Sequence, residues 1–472
     1  MAPCGTHEMA PWLSWYHDHK QELAVFRDID STWLYVPVTI HLISDNGGIN
    51  NYSEGEVFRI ICELNEQYAP LFVRFYLMPG EAFMYHSNSN WNSHDWTNGA
   101  EMIETTKIPG RLNCYIVVDP AGNCGYSWYD AIVMARSCSG VGNTTWAHEA
   151  GHHFSLPHPF YGWEGHSWNY SEPAPEEWEG YPVEKTDGSN CYESGDRFCD
   201  TKPDYLNYRW GCNSNGMSTL QQKDPNGVAF TSDGSLYMSY ASDECASRFS
   251  PEQQEAIRAN LYTEHEDYLQ ITEPLAGIPE NAAINYLSPI DTAIEQYNNV
   301  WLQWEAVPGA EFYQVQVSTS PNFSVYFNNT FVQGATSLNI TRNLPNNKVL
   351  YWRVRAYSNW DVCNSVSSSH SVFRTKNLSA TNELERVADI SLNPNPVMQG
   401  VPFYLKINTS ERLDLLLTIH DASGRQCYQK ETTLYSGDNA LELPSENMNA
   451  GLYFVTLQTT NGTLIKRLAI TE

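Results

Sequence analysis

Hydrophobic positions along the chain follow two regimes that change near Pro274. Before it, apolar runs rich in β-branched residues alternate with stretches of helical period. Trp33–Ile43, WLYVPVTIHLI, reads as a strand. After a GGINNYS loop, EGEVFRIICELNEQYAP reads as a helix, with Val57, Ile60, Ile61 and Leu64 on one face. Leu71–Met78 and RLNCYIVVD read as two more strands, and CGYSWYDAIVMA as a short edge strand plus another. A helix carrying several histidines comes next. Strands alternating with helices predict an α/β (α+β) core over residues 33–272. SPEQQEAIRANLY, Ser250–Tyr262, has Ser-Pro-Glu at its head and reads as a capped helix closing that unit. Between about Tyr161 and Phe230 periodicity gives way to Gly, Asn, Asp, Pro and Cys. A loop region this long inside a domain is normally functional or clamped by ligands. Residues 1–32 are polar and without clear period, and are expected to form an extended or loosely docked leader.

After Pro274 short strands recur with turns between them: VWLQWEAV, FYQVQVST, SLNITR, LYWRVRAYS and HSVFRTK. That spacing predicts a β-sandwich over 280–376. With Trp304 early and YWRVRA late, it resembles a fibronectin type III domain. The segment NLSATNELERVAD reads as a linker, and 388–472 is again all β. The fold class is therefore multidomain, an α/β unit followed by two all-β sandwiches.

Bulk properties narrow the function. A chain of 472 residues is too long for one ordinary core, and 42% hydrophobic residues exclude wholesale disorder. The formal charge of −28 repels nucleic acid and anionic membrane surfaces, and suits cationic substrates or metal ions as well as plain solubility. No run is apolar enough to span a membrane. The N-terminus has neither a basic n-region nor an apolar h-region, so no signal peptide is expected in this chain. Seven of the eleven cysteines fall between Cys114 and Cys245, pointing to a disulfide frame or a metal site. Cys124 with Cys138 is one candidate bridge.

The chemistry concentrates in TTWAHEAGHHFSLPHPF, Thr144–Phe160. His148 and His152 are four apart, so on a helix both imidazoles reach one ion. His158 supplies a third zinc ligand if the helix ends near Phe154 and the chain turns back. Glu149 is placed to accept a proton from water at the metal rather than to bind it. His153 and His166 are off the ligand register and receive no role. The turn falls on Ser155, where the longer form of this signature has glycine. A left-handed serine costs about 1 kcal/mol, which zinc affinity of roughly 10 kcal/mol or more outweighs. Downstream, DGSNCYESGDRFCDT offers oxygen ligands for calcium: Asp187, Asn190, Asp196, Asp200 and Thr201.

HEAGHHFSLPH, TDGSNCYESGDRFCDTKPD and YMSYASDECASRFSPEQ together resemble the pappalysin family of metzincin proteases, in the style of its bacterial ulilysin- and mirolysin-like members. The resemblance covers about Trp33 to Tyr262. It implies a zinc-dependent endopeptidase with His148, His152 and His158 on zinc and Glu149 as general base and acid. It further implies a Met-turn at Met238 under the histidines, Tyr240 helping to stabilise the tetrahedral intermediate, and structural calcium. By resemblance the bridges would be Cys191–Cys212 and Cys199–Cys245, while sequence alone leaves three pairings open. Asp243 and Glu244 would face the pocket for the residue after the cut and select Arg, or less well Lys. A leader with Cys-Gly-Thr resembles family proenzymes, so Cys4 would take the open fourth zinc position until the leader is cut, with Arg27 one place for that cut. Two other readings compete: a catalytically silent zinc-containing adhesin or binding protein, and a zinc hydrolase acting on non-peptide amides or esters.

The tail carries ISLNPNPVMQG, GLYFVTLQT and LIKRLAITE, which resemble the C-terminal sorting domain of type IX secretion. That implies a secreted or cell-surface bacterial protein whose partners are the secretion machinery and, for the protease, protein or peptide substrates.

Overall fold

A computed structural model describes residues 4–6, 8–22, 32–48, 52–166, 168–376, 387–410, 412–459 and 462–472. Arg27 and most of the expected linker lie outside them.

The leader departs from expectation. Pro11–His19 forms a helix, α1, with proline in its first turn and Trp12, Leu13 and Tyr16 buried. Its apolar side seats on the helix Pro251–Thr263, where the Trp12 indole N–H donates to Thr263 Oγ1 at 2.9 Å. Polar composition hid the helix, because its three buried residues span little more than one turn.

The N-terminal α/β unit is built on a six-stranded sheet. Leu34–Ser44 (β1) is its fully buried centre. It runs parallel to Val73–Leu77 (β2), Phe83–Ser87 (β3) and Leu112–Val117 (β4). Gly125–Trp128 (β5) is the outer strand, antiparallel to Ala131–Ala135 (β6). Glu54–Tyr68 (α2) starts with a reciprocal Ser53–Glu56 capping box and buries Val57, Ile60, Ile61 and Leu64, the face that the sequence marks. Thr145–His153 (α3) is buried throughout. Pro251–Thr263 (α4) has a second capping box, Ser250 with Gln253.

The second unit is a sandwich of a three-stranded and a six-stranded sheet closed over Trp304, Trp352 and Tyr313. It is joined firmly to the first. Phe58 of α2 packs on Phe312, Phe331 and Tyr357, with ring centroids 4.9–5.3 Å apart. Leu77 of β2 exchanges hydrogen bonds with Asn359, and Cys62 is bridged to Cys363. The tail is another pair of sheets, of three and five strands, around its own core.

Among the expected bridges, Cys124–Cys138 forms. The pairs implied by resemblance do not: Cys191 bonds Cys199 and Cys212 bonds Cys245. The tight turns of residues 188–199 bring the first pair together locally. The isolated bridge Trp210–Ala241 carries Cys212 to the segment that holds Cys245.

Candidate metal centre

Helix α3 sets His148 and His152 one turn apart, and the chain reverses at Ser155 with φ of +70°. The expected left-handed turn is therefore present. Its hydroxyl accepts the Asn260 side-chain N–H at 3.1 Å. The reversal brings His158 back, and the three Nε2 atoms lie 3.1–3.2 Å from one another. Each Nδ1 is occupied elsewhere: by the Tyr237 carbonyl for His148 (2.8 Å), the Leu156 carbonyl for His152 (2.7 Å) and the Glu164 carboxylate for His158 (3.2 Å). Those acceptors fix the Nδ1–H tautomer and leave three lone pairs aimed at one point.

Cys4 completes the group. Its Sγ and the three histidines place one donor atom each within 4.8 Å of one another, all buried. The leader is held there by pairing along β5: the Gly5 N–H donates to the Gly125 carbonyl (2.9 Å) and the Ser127 N–H to Thr6 Oγ1 (2.8 Å). Gly5 has to be glycine, since a Cβ would meet Trp96 at 2.8 Å and Asn123 at 2.9 Å. The fit to an ion is direct. A tetrahedral ion with bonds of about 2.0–2.1 Å sets nitrogen donors about 3.3 Å apart, and thiolate with imidazole suits zinc or another borderline-soft metal. Without a shared cation, three converging lone pairs in a buried site would repel one another.

Glu149 sits beside this group. Gly125 makes room for it: a Cβ there would meet the Glu149 Cγ at 2.9 Å. Cys4 Sγ donates to Glu149 Oε2 at 3.6 Å, while Oε1 is buried without a partner. Burial pushes the carboxyl up to about 8. Met238 is buried directly under α3, its sulfur against Gly151, where no side chain would fit. Tyr240 is buried with its ring 4.9 Å from that of His158, and its hydroxyl donates to the Cys4 carbonyl at 3.4 Å. Desolvation pushes its phenol well above the usual range.

Of the two expected pocket acids, Asp243 already has partners. Asp243 Oδ1 accepts from the Thr144 N–H (3.0 Å) and hydroxyl (2.8 Å), and Oδ2 pairs with Arg209 at 2.7 Å. Glu244 is exposed. The expected calcium ligands also separate. Asp187 is exposed and caps Ser189, and Asn190 binds Lys185 and Val183. Asp200 holds Ser250 and Glu252 at the head of α4. Backbone and hydroxyl donors have claimed those three residues. Asp196 and Thr201 do meet, at 2.9 Å, in a fully buried position. Glu184, whose Oε2 is buried and unpaired, is pushed up by burial and by the charges of Asp196 and Asp204. Among the described residues, the Cys4–histidine group is the one set of three or more His, Cys, Asp or Glu donors gathered within reach of an ion.

Glu164, Glu184, Asn260 and Arg209 are close neighbours of these residues that the sequence reading missed. The signal for Glu164 is a carboxylate in the turn directly after the third histidine. The other three are marked only by three-dimensional contact.

No curated protein matches the chain. Two solved structures are similar over part of it: the chicken CNTN1 FN1-FN3 domains (10% identity, 42% of this chain and 66% of that one, TM-score 0.23) and the BSP domain of a biofilm associated protein (10% identity, 40% and 30%, TM-score 0.17). The chain covers less than two thirds of either, and at these TM-scores neither bears on its fold. No helix among the described residues is long and apolar enough to cross a membrane. Residues 391–471 match the secretion system C-terminal sorting domain, the type IX tail that marks a secreted or cell-surface bacterial protein.

Proposed function

We propose that the chain is a secreted zinc endopeptidase, a metzincin of the pappalysin kind, held latent by its own leader. The observation that carries this reading is the convergence of His148, His152, His158 and Cys4 beside a buried carboxylate with an unpaired oxygen. Bound there, zinc would act as a Lewis acid and lower the pKa of a water nucleophile. Glu149 accepts the proton of the attacking water and returns it to the leaving amine. The Tyr240 hydroxyl, which meets the Cys4 carbonyl in the leader-bound form, donates to the substrate oxygen as negative charge builds on it. The pairing of Gly5 and Thr6 along β5 indicates the edge that a substrate backbone would use once the leader is gone. Cys4 withholds the fourth position from water until then. Calcium, if the loop holds it, would rest on Asp196 and Thr201, which meet in a buried position. The 280–376 sandwich, read as fibronectin type III-like, buttresses the α/β unit.

One observation favours a second reading, a silent zinc-containing surface protein. Four protein donors close the site, as in structural zinc centres. A structural site has no use for Glu149, and digestion decides between them. Leader-cleaved protein is expected to cut a denatured protein substrate, and Glu149→Ala to lower the rate at least about 100-fold while retaining zinc. A zinc-loaded, leader-free chain that cuts nothing would establish the silent reading instead.

A further inference from the structure

A cavity of about 1030 Å³ lies between the leader and the α/β unit. Leader residues, Trp15 among them, make one wall, and Trp96, residues 127–130 and the end of α4 make the other. The docked leader thus frames this space without filling it. Its size matches pockets for small ligands, which run to about 300–1000 Å³. Rings and acids give it its character. Trp15, Trp96 and Tyr129 are 40%, 41% and 44% exposed. Trp128 joins the last two, with its ring 5.6 Å from that of Trp96 and 4.3 Å from that of Tyr129. Exposed apolar rings gathered at one place mark a binding site, whereas scattered ones do not. The lining carboxylates are Glu8, Asp130 and Glu264, all exposed. Asp130 meets Lys107 at 3.6 Å, while Glu8 and Glu264 form no ion pair among the described residues. Among those residues no lysine or arginine lines the cavity, and its histidines are buried.

We propose that this cavity binds an organic cation with an apolar body, and that the ligand ties the leader to the α/β unit. The negative faces of the aromatic rings attract an ammonium group, and the carboxylates add to that attraction. Because the two walls belong to different segments, the ligand binds best while both are in place. By linkage it must then favour the docked leader by the same factor. The site would thus hold the chain in its leader-bound state. Binding here is read without cleavage, so the proposal stands or falls apart from the peptidase reading.

The probe is naphthylmethyl-trimethylammonium, with naphthylmethanol as its uncharged counterpart, titrated by calorimetry into the full chain. The cation is expected to bind at least about tenfold tighter than the alcohol. Trp15→Ala is expected to weaken the cation about tenfold, and so is Glu8→Gln with Glu264→Gln, which leaves the apolar contacts of α1 intact. The leader-cleaved chain is expected to bind it about tenfold more weakly than the full chain. Hydrogen exchange over residues 11–19 is expected to slow when the cation is present. No binding to the full chain, equal binding of the alcohol, or an affinity unchanged in the carboxamide variant would overturn the cation site. Equal affinity of the leader-cleaved chain, or exchange unaffected by the cation, would overturn its coupling to the leader.

Discussion

Ser155 shows how one residue can depart from a signature and keep its geometry. Its φ of +70° is the conformation that glycine adopts freely, at about 1 kcal/mol for other residues. The hydroxyl repays part of that by accepting from Asn260, whose own Oδ1 is buried and unpaired. Ser155→Gly is therefore expected to leave stability within about 1 kcal/mol, trading strain for a hydrogen bond. Ser155→Ala keeps the strain and orphans Asn260, and is expected to cost about 1–2 kcal/mol in urea melts. Equal stability of the alanine variant would show that the Asn260 contact is idle. At this scale the candidate metal site was legible because His148, Glu149, His152 and His158 lie within eleven residues, and helical period fixes the first two histidines. The pairing of Asp243 with Arg209 was not legible, because Arg209 is distant in sequence and carries no mark of its partner. Glu164 was overlooked for a milder reason: an acid in a turn is usually just solvated.

At the scale of elements, the leader helix is the clearest gain over the sequence. Its docking has a built-in pH dependence. His17 packs between Tyr192 and Phe198, with Lys20 and Arg197 as nearby cations and Asp18 and Glu252 as nearby acids. Burial first, then the two cations, lower its pKa from 6.5 to about 4. A folded pKa below the free value stabilises docking fully above about pH 6.5, and that stabilisation is lost as pH falls through about 4. Hydrogen exchange over residues 11–19, corrected for intrinsic rates, is expected to show weaker protection at pH 4.5 than at pH 7.5. His17→Phe, which keeps a ring against the same neighbours, is expected to flatten the difference. Equal protection of the wild type at both pH values would remove His17 from the account. The strands and capped helices that hold the site were readable because alternation, β-branching and Ser-x-x-Glu/Gln caps are local signals. Cys124–Cys138 was readable too, but the pairing among Cys191, Cys199, Cys212 and Cys245 was not, since it is decided by how the loops fold back.

For the molecule as a whole, three units were legible from the change of period near Pro274 and the sorting motifs of the tail. What no period could announce is that Phe312, Tyr357 and Val362 of the sandwich join the core of the first unit, beside the bridge Cys62–Cys363 across 301 residues. Such a bridge constrains the unfolded chain by about 2–4 kcal/mol and ties the sandwich to the α/β unit rather than leaving it a free spacer. The sorting domain keeps a separate core, in line with a segment that is handled by secretion machinery. Function at this scale turns on the leader: the same four donors read as a closed structural site or as a catalytic site under restraint. X-ray absorption at the metal edge, before and after leader removal, separates the two most directly. The account predicts zinc with one sulfur and three nitrogen donors in the full chain, and a light-atom donor in place of the sulfur once the leader is cut. Absence of bound metal, or a sulfur donor that persists after the leader is gone, would contradict it.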